Sequence, residues 1–558
     1  RVLSVRDLTF FGIAAIIGAG SFSSLGDAVF RGGPGVVILF IITGIACAFT
    51  AFCYSEFASR IPVAGSAYTY SYASFGELFA WIIGWALIME YSIGNIYVSF
   101  SWSDYFTSFL NKMGLHIPEY LSCSYREAHK AVIEGSANQE LINAWQTAPV
   151  VGGLRLIADL PALVINMLIT YLVYRGIKES RNFSNAMVVL KLAIVALVII
   201  VGGGLIFSNG LSFNWMPADD AGVKSFMPNG FGGVMTAVSG VFFAYIGFDA
   251  VSVLAEESRN PQRDLPRGMI LSLVICTVVY ILLSLVLTGA VNYRNFNGVG
   301  DPLAFIFESQ NLNIPWMQIV VSVCAVIAMT SVLLVFQMGQ PRIWMSMSRD
   351  GLLPPVFQRI HARFRTPSFA TIITGLVVGV PILFTDKSFV LDFTSIATLF
   401  AFVLVCGGVL LLPRKEKTPG RFNLPYINGR FIYPLLVLLA FALILVYAKS
   451  YFTDALNFDF SGDKDYTEGT VSFMDLATPK ISIIAFWLIC FLLSILTFVK
   501  NYSLIPLMGV TTCLYLLTGM TKSNWAWFLG WLALGLVIYF LYGYRKSKLA
   551  APARAEPI

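Results

Sequence analysis

Two apolar stretches of this chain place glycine where a helix would otherwise run unbroken, and they define the chemistry on offer. Ile16-Ile17-Gly18-Ala19-Gly20-Ser21-Phe22 and Phe243-Ala244-Tyr245-Ile246-Gly247-Phe248-Asp249 each fall midway along a membrane-length run. Glycine tolerates the conformations that unwinding needs. A helix opened at the first stretch presents the amides of Ala19, Gly20 and Ser21 from a half-helix N-terminus, which suits a carboxylate. The freed carbonyls of Ile16, Phe243 and Ile246 suit an ammonium group. One group of each kind, close together, matches the backbone of an amino acid. Glycines in membrane helices also serve close helix crossings, but a pair of breaks at matched positions points to a transporter's central site.

Two ionisable residues lie well inside apolar runs. These are Glu90, in Ile88-Met89-Glu90-Tyr91-Ser92, and Lys191, in Val189-Leu190-Lys191-Leu192. A charge there is expensive and marks a pathway or a proton relay, so each is a candidate proton carrier. The plainer alternatives are a structural carboxylate bonded to a neighbouring helix for Glu90 and, for Lys191, a fixed cation tying spans 1, 5 and 8 together. Such an ammonium can stand where a sodium ion would otherwise bind. Glu256 and Glu257 read as end-of-helix or gate charges. The three histidines are scattered through loops, and seven of the eight cysteines sit in apolar segments. No metal set, no nucleophile with a base and no phosphate-binding loop is visible, so neither an enzyme nor an ATP-driven pump is expected. No cofactor is expected either.

The elements that must hold these residues follow from composition. Of 558 residues, 57% are hydrophobic and 12% charged, about half the charge of a soluble protein. Fourteen spans are predicted, at about 7–30, 33–59, 78–110, 155–175, 183–207, 231–256, 268–291, 314–347, 367–384, 390–412, 432–452, 480–499, 502–519 and 525–543. Helices are expected, because lipid offers backbone amides no partners and the chain lacks a barrel's alternation. The first apolar segment reads as a span rather than a cleavable signal. With the N-terminus inside, 24 of the 37 Lys and Arg fall on the cytoplasmic side, which predicts both termini in the cytoplasm. The net charge of +6 therefore reflects topology, and no nucleic-acid partner is expected. Two outer loops are long, at 111–154 and 453–479; the first, read mainly as a solvated loop, contains a short amphipathic helix over Tyr125–Ile133. The tail from Lys546 to Ile558 is expected to be disordered.

Four strings carry a family resemblance: Gly12-Ile13-Ala14-Ala15-Ile16-Ile17-Gly18-Ala19-Gly20-Ser21-Phe22; Glu56-Phe57-Ala58-Ser59-Arg60-Ile61-Pro62-Val63-Ala64-Gly65-Ser66-Ala67-Tyr68; Glu256-Glu257-Ser258-Arg259-Asn260-Pro261-Gln262-Arg263; and Arg342 followed by Met347-Ser348-Arg349-Asp350-Gly351-Leu352-Leu353-Pro354. Over essentially its whole length the chain resembles the amino acid–polyamine–organocation superfamily, in the bacterial relatives of the cationic amino acid transporter branch. The resemblance implies an all-α integral membrane protein with a five-plus-five inverted repeat and broken helices 1 and 6. It implies a transport core whose first part, 1–256, holds spans 1–6 (spans 1–5 being the first repeat), completed by spans 7–10 at 257–412. Spans 11–14 at 413–545 would be peripheral, and 546–558 a cytoplasmic tail. Carried over by residue, it implies that Ala19 and Gly20 bind the substrate carboxylate, and that Ile16, Phe243, Ala244 and Ile246 hold the amine. Phe243 would be the aromatic gate. Lys191 would match a span 5 lysine of sodium-independent members and Glu90 a span 3 acidic residue of the cationic branch. Ile327, Met329, Thr330 and Ser331 on span 8 would floor the side-chain pocket. Span 1 departs from the pattern at Ser21, where many relatives carry a branched apolar residue, and the 111–154 loop is longer than the group's.

The expected activity is uptake of L-amino acids, cationic or small neutral, coupled to protons by alternating access in a bacterial inner membrane. Glu90 favours a cationic side chain; Met329 favours a short one. The alternatives are an obligate exchanger without proton coupling and, from another class, a non-transporting sensor or structural membrane protein. The expected partners are substrate, protons and lipid, with an accessory membrane subunit left open.

Overall fold

The computed structural model describes residues 3–547 apart from 19, 61–67, 69–70, 73–75, 134–138, 177–180, 219–221, 255–257, 413–421 and 461–471. Ala19, Glu256, Glu257 and most of the tail therefore lie outside the described residues.

Among the described residues nine helices are long and apolar enough to cross a membrane, and four shorter apolar helices lie between them. The first of the nine, Val5–Ser59, contains both span 1 and span 2, so the described residues hold fourteen apolar segments in all. Span 1 runs as Val5–Ile16, breaks, and resumes as a π-helical turn Gly20–Ser24 and the helix Leu25–Gly32. Span 2 is Val36–Arg60 and span 3 is Glu77–Lys112. Spans 4 and 5 are Leu160–Arg175 and Arg181–Ser208. Span 6 is broken in turn, with Val238–Phe243 and the 3-10 segment Phe248–Leu254 on either side of the break. Spans 7 to 10 follow as Pro261–Ala290, Pro315–Arg349, Ser368–Ile382 and Lys387–Leu411. The last four are Gly429–Tyr447, Phe473–Lys500, Leu504–Leu517 and Lys522–Ile538.

Four passages lie between the two broken spans, so they cross in opposite senses. Span 1 starts at the face that carries both described chain ends, here the terminal face, and span 6 starts at the opposite face. Spans 3 and 8 pack along their lengths, as do spans 2 and 7. Span 3 is buried from Ala80 almost to Tyr105 and so forms the axis of the molecule. Spans 11 and 12 keep wide apolar faces exposed, as at Leu435, Val446 and Leu488, as lipid-facing helices should.

The long loop after span 3 differs from the solvated segment read from sequence. Helices Tyr125–Ile133 and Gln139–Thr147 and a hairpin pairing Val150–Val151 with Leu154–Arg155 surround a small core of Cys123, Ala128, Ala144, Ala148 and Ile157. Its apolar residues are few but held together across the whole loop, which is why it folds as a unit.

Candidate functional site

The two breaks meet. A Cβ placed on Gly20 would lie 2.6 Å from Ala244 Cα, and one on Gly247 would lie 3.0 Å from the Ala15 carbonyl group. Gly247 also has φ +117, a conformation that side chains strongly disfavour. Glycine at these two positions is thus what lets one opened backbone touch the other. Between them lies a void of about 10 Å³, lined by Ala15, Ile16, Gly20, Val98, Phe243, Ile246, Val332 and Phe336. That is room for about one water.

Several polar groups fix the breaks. Tyr280 donates its hydroxyl to the Ile16 carbonyl at 3.0 Å, and the Ile246 amide bonds the Phe243 carbonyl at 3.1 Å. Lys191, buried, donates from Nζ to the Ala14 carbonyl at 3.0 Å. This puts an ammonium at the C-terminal end of the first half-helix, where the helix dipole favours positive charge. Ser24 donates to the Gly20 carbonyl within span 1 and to the Gly240 carbonyl of span 6, both at 3.0 Å.

On one side the void is closed by Tyr97 and Phe243, whose ring centroids lie 4.4 Å apart. Above Tyr97 opens a vestibule of about 780 Å³, roofed in part by the 113–158 unit. Ion pairs ring it: Lys387 with Asp104, Arg31 with Asp27 at 3.0 Å and with Asp392 at 3.6 Å, and Arg126 with Asp386 at 3.1 Å. Glu127 accepts the Lys387 amide at 3.2 Å and the Ser124 amide at 3.3 Å. Burial, helped by nearby Asp104, pushes its carboxyl up to about 7. Burial likewise raises Asp301 to about 6 against the pull of Lys112.

On the other side the chain is tightly shut. Glu90, 2% exposed, lies beside Thr398 and feels the charge of Asp249. Asp249 is held by backbone amides at Gly247, Asp249 and Ala250. Glu90 Oε2, Asp249 Oδ2 and the hydroxyls of Tyr54 and Tyr91 are buried without a hydrogen-bond partner among the described residues.

The structure thus brings Ile16, Gly20, Phe243, Ala244 and Ile246 together, with Ser21 buried beside them. It does not bring the four span 8 residues to the void. Ile327 lies 37% exposed on the outer side of its helix, and Thr330 accepts Trp102 Nε1 at 2.9 Å. Met329 and Ser331 are buried without lining the void. Span 8 contributes Val332 and Phe336 instead, one turn further along and on one face. Sequence reading also passed over Tyr97, Val98 and Tyr280. Among the described residues no cluster of His, Cys, Asp and Glu has a metal-binding arrangement.

Paired broken helices of opposite sense, meeting beneath a vestibule, are the arrangement on which transporters build a central site. The comparisons agree and go further. The chain belongs to the amino acid permease family: the Amino acid permease model matches residues 3–459 and the model of that family's C-terminus matches 502–547. It is 35% identical to the branched-chain amino acid permease BcaP of Bacillus subtilis over 550 residues, 98% of this chain and 94% of that one. It is 40% identical to the methylthioribose transporter of Bacillus subtilis over 429 residues, 76% and 84% of the two chains. It is 36% identical to cationic amino acid transporter 2 of Arabidopsis thaliana, a vacuolar protein, over 413 residues, 74% and 60%. These relatives are permeases and transporters, and the protein is a multi-pass membrane permease of the same superfamily, not an enzyme.

Proposed function

We propose that the protein imports L-amino acids with apolar side chains across a bacterial inner membrane, coupled to protons, by alternating access, with both chain ends in the cytoplasm. The observation that carries the reading is the contact of the two glycine breaks at the floor of the vestibule. In this reading the amides of Ala19, Gly20 and Ser21 receive the substrate carboxylate. The carbonyls of Ile16, Phe243, Ala244 and Ile246 receive the amine. Phe243 and Tyr97 part to admit substrate from the vestibule. Spans 1–10 are the transport core and spans 11–14 peripheral to it.

The side-chain preference rests on Val98, Ile246, Val332 and Phe336, which leave no polar side chain on the void. The name of the relative that covers nearly the whole chain, a branched-chain amino acid permease, points the same way. Glu90 is the favoured proton carrier. It is buried within reach of the charge of Asp249, itself buried, and two buried carboxylates are tolerable only with a proton or a cation between them. The distribution of Lys and Arg supports cytoplasmic ends.

Proteoliposome uptake of labelled leucine, alanine and arginine, with and without an inward proton gradient, tests the reading; unlabelled methylthioribose serves as a competitor. Gradient-driven accumulation of leucine above arginine is the expected result. Arginine accumulating best would overturn the substrate class. One observation favours obligate exchange instead: Lys191 is fixed on the Ala14 carbonyl, as a permanent cation would be. Uptake only against internal amino acid, indifferent to the gradient, would select that reading.

A further inference from the structure

Where spans 4 and 9 reach the terminal face, two arginines stand without an acidic partner among the described residues. Span 4 ends at Arg175, and the next residue, Gly176, turns left-handed at φ +76. A Cβ there would lie 2.9 Å from the Phe364 carbonyl oxygen, so the chain end sits directly against the loop before span 9. That loop is rigid. Thr366 donates to the Tyr174 carbonyl at 2.8 Å, and His361 Nδ1 accepts the amides of Arg363 and Phe364 at 3.2 and 3.3 Å. The Arg175 guanidinium lies 5.5 Å from the Phe364 ring centre and the Arg363 guanidinium 5.6 Å. Arg175 also donates to the Tyr171 hydroxyl at 2.8 Å. Among the described residues neither guanidinium has a carboxylate within ion-pair distance.

Beneath them, toward mid-membrane, the two spans expose Leu168 and Ile372. Tyr171 lies one turn before Arg175 on span 4, and aromatic residues are enriched where spans meet headgroups. Two guanidiniums share one ring at the water boundary, above an apolar strip: the arrangement is complementary to a phosphate that carries acyl chains. Guanidinium binds phosphate through paired, directed N–H bonds, and basic positions at helix ends on the cytoplasmic side recruit anionic headgroups.

We infer that the terminal-face junction of spans 4 and 9 is a binding site for an anionic phospholipid, its phosphate on Arg175 and Arg363 and its acyl chains along Leu168 and Ile372. Each arginine contributes roughly fivefold in affinity, so losing both costs at least tenfold. This site is remote from the central void and does not depend on the substrate.

The test is native mass spectrometry of the full-length protein in micelles, titrated with phosphatidylglycerol or phosphatidylcholine of the same chains. Arg175→Gln/Arg363→Gln is expected to lower phosphatidylglycerol retention at least tenfold and leave phosphatidylcholine unchanged. Arg263→Gln/Arg267→Gln, on the same face at the start of span 7, is expected to retain lipid as the wild type does. An equal loss in that control would show surface charge alone at work and overturn the site, as would full retention in the first variant. Displacement of bound phosphatidylglycerol by inorganic phosphate at matched concentration would make it a soluble-anion site and also overturn the lipid assignment. If the double variant does not fold, Phe364→Leu keeps both charges and removes the ring that aligns them. It is expected to lower retention several-fold, and no change there would refute the geometry.

Discussion

Substituting Gly20 by alanine tests the contact on which the transport reading rests. The added Cβ would meet Ala244 Cα at 2.6 Å and the Ala244 carbonyl oxygen and Cβ at 3.2 Å. Two of these atoms are backbone, so no rotamer change relieves the clash. The second half-helix must retreat by about 0.8 Å to reach ordinary van der Waals distance. Overpacking of this kind costs about 1–3 kcal/mol, while alanine's advantage over glycine in helical backbone returns only about 0.5–1 kcal/mol. The clash wins, and its cost falls on the state in which the breaks touch. The net penalty, up to about 2.5 kcal/mol, corresponds to as much as roughly a 70-fold change in an equilibrium, so leucine uptake is expected to fall several-fold. Gly203→Ala in span 5 is the matched control, because a Cβ there meets nothing within 4 Å. Initial uptake rates are compared at equal protein in proteoliposomes, with thermal melts to separate local from global effects. If Gly20→Ala transports at more than half the wild-type rate, or Gly203→Ala loses as much, the contact of the breaks is not part of the transport cycle.

Glu90→Gln is expected to abolish accumulation driven by a proton gradient while leaving counterflow of leucine within about threefold, since the amide keeps the volume and loses the proton; unchanged accumulation would remove Glu90 from coupling. Lys191→Met should leave the Ala14 carbonyl buried without its donor. The expected cost is about 1–3 kcal/mol, read as a lower melting temperature together with lost transport. A melt equal to wild type would argue against the fixed-cation role. The Glu127 carboxyl has its ordinary value near 4.5 and rises to about 7 in the folded protein, so the folded loop binds a proton that the released loop gives up. Docking of the 113–158 unit is therefore strongest below about pH 4.5, and this share of it is lost as pH rises through about 7. After discount for partial exposure it amounts to about 1–3 kcal/mol. Hydrogen exchange over residues 119–131 should accelerate from pH 5.5 to 8 beyond the chemical rate in the wild type, and not in Glu127→Gln; parallel curves would remove Glu127 from docking.

The features legible in the sequence are those that the membrane itself enforces. Lipid supplies no partners, so fourteen apolar runs had to be helices, and glycines at mid-depth or a charge such as Lys191 stood out against that background. Span 8 gave no such contrast. Apolar residues run around most of it, so nothing in its composition marks the depth of the site, and a reading centred on 327–331 stops about one turn short of Val332 and Phe336. The partners of Glu90 were hidden for another reason. Asp249 and Tyr54 come near it only through folding, from spans 6 and 2. The loop helix Tyr125–Ile133 was visible as an amphipathic run, but its docking through Glu127 and Lys387 joins residues 260 positions apart, a distance over which no local pattern speaks.

The two sides of the central void are closed in unequal ways, and the inequality bears on how a cycle would run. Toward the vestibule the barrier among the described residues is the ring pair of Tyr97 and Phe243, beneath the vestibule's ion pairs. Toward the terminal face the first residues of span 1 bond the segment after span 6, with the Arg259 amide on the Leu3 carbonyl at 3.0 Å. Span 2 is tied to the segment before span 11, with the Leu424 amide on Glu56 Oε2 at 2.8 Å. Tyr68 donates to Asp350 at 2.7 Å. Opening the first barrier needs side chains to rotate; opening the second needs backbone hydrogen bonds on both halves of the repeat to part together. A substrate that draws the breaks apart from the vestibule side therefore acts first on the lighter barrier. The heavier one can yield only when the half-helices of spans 1 and 6 move with it, which is why the contacts at Gly20 and Gly247, and the Lys191 bond that pins Ala14 beside them, sit at the point where the two closures are linked.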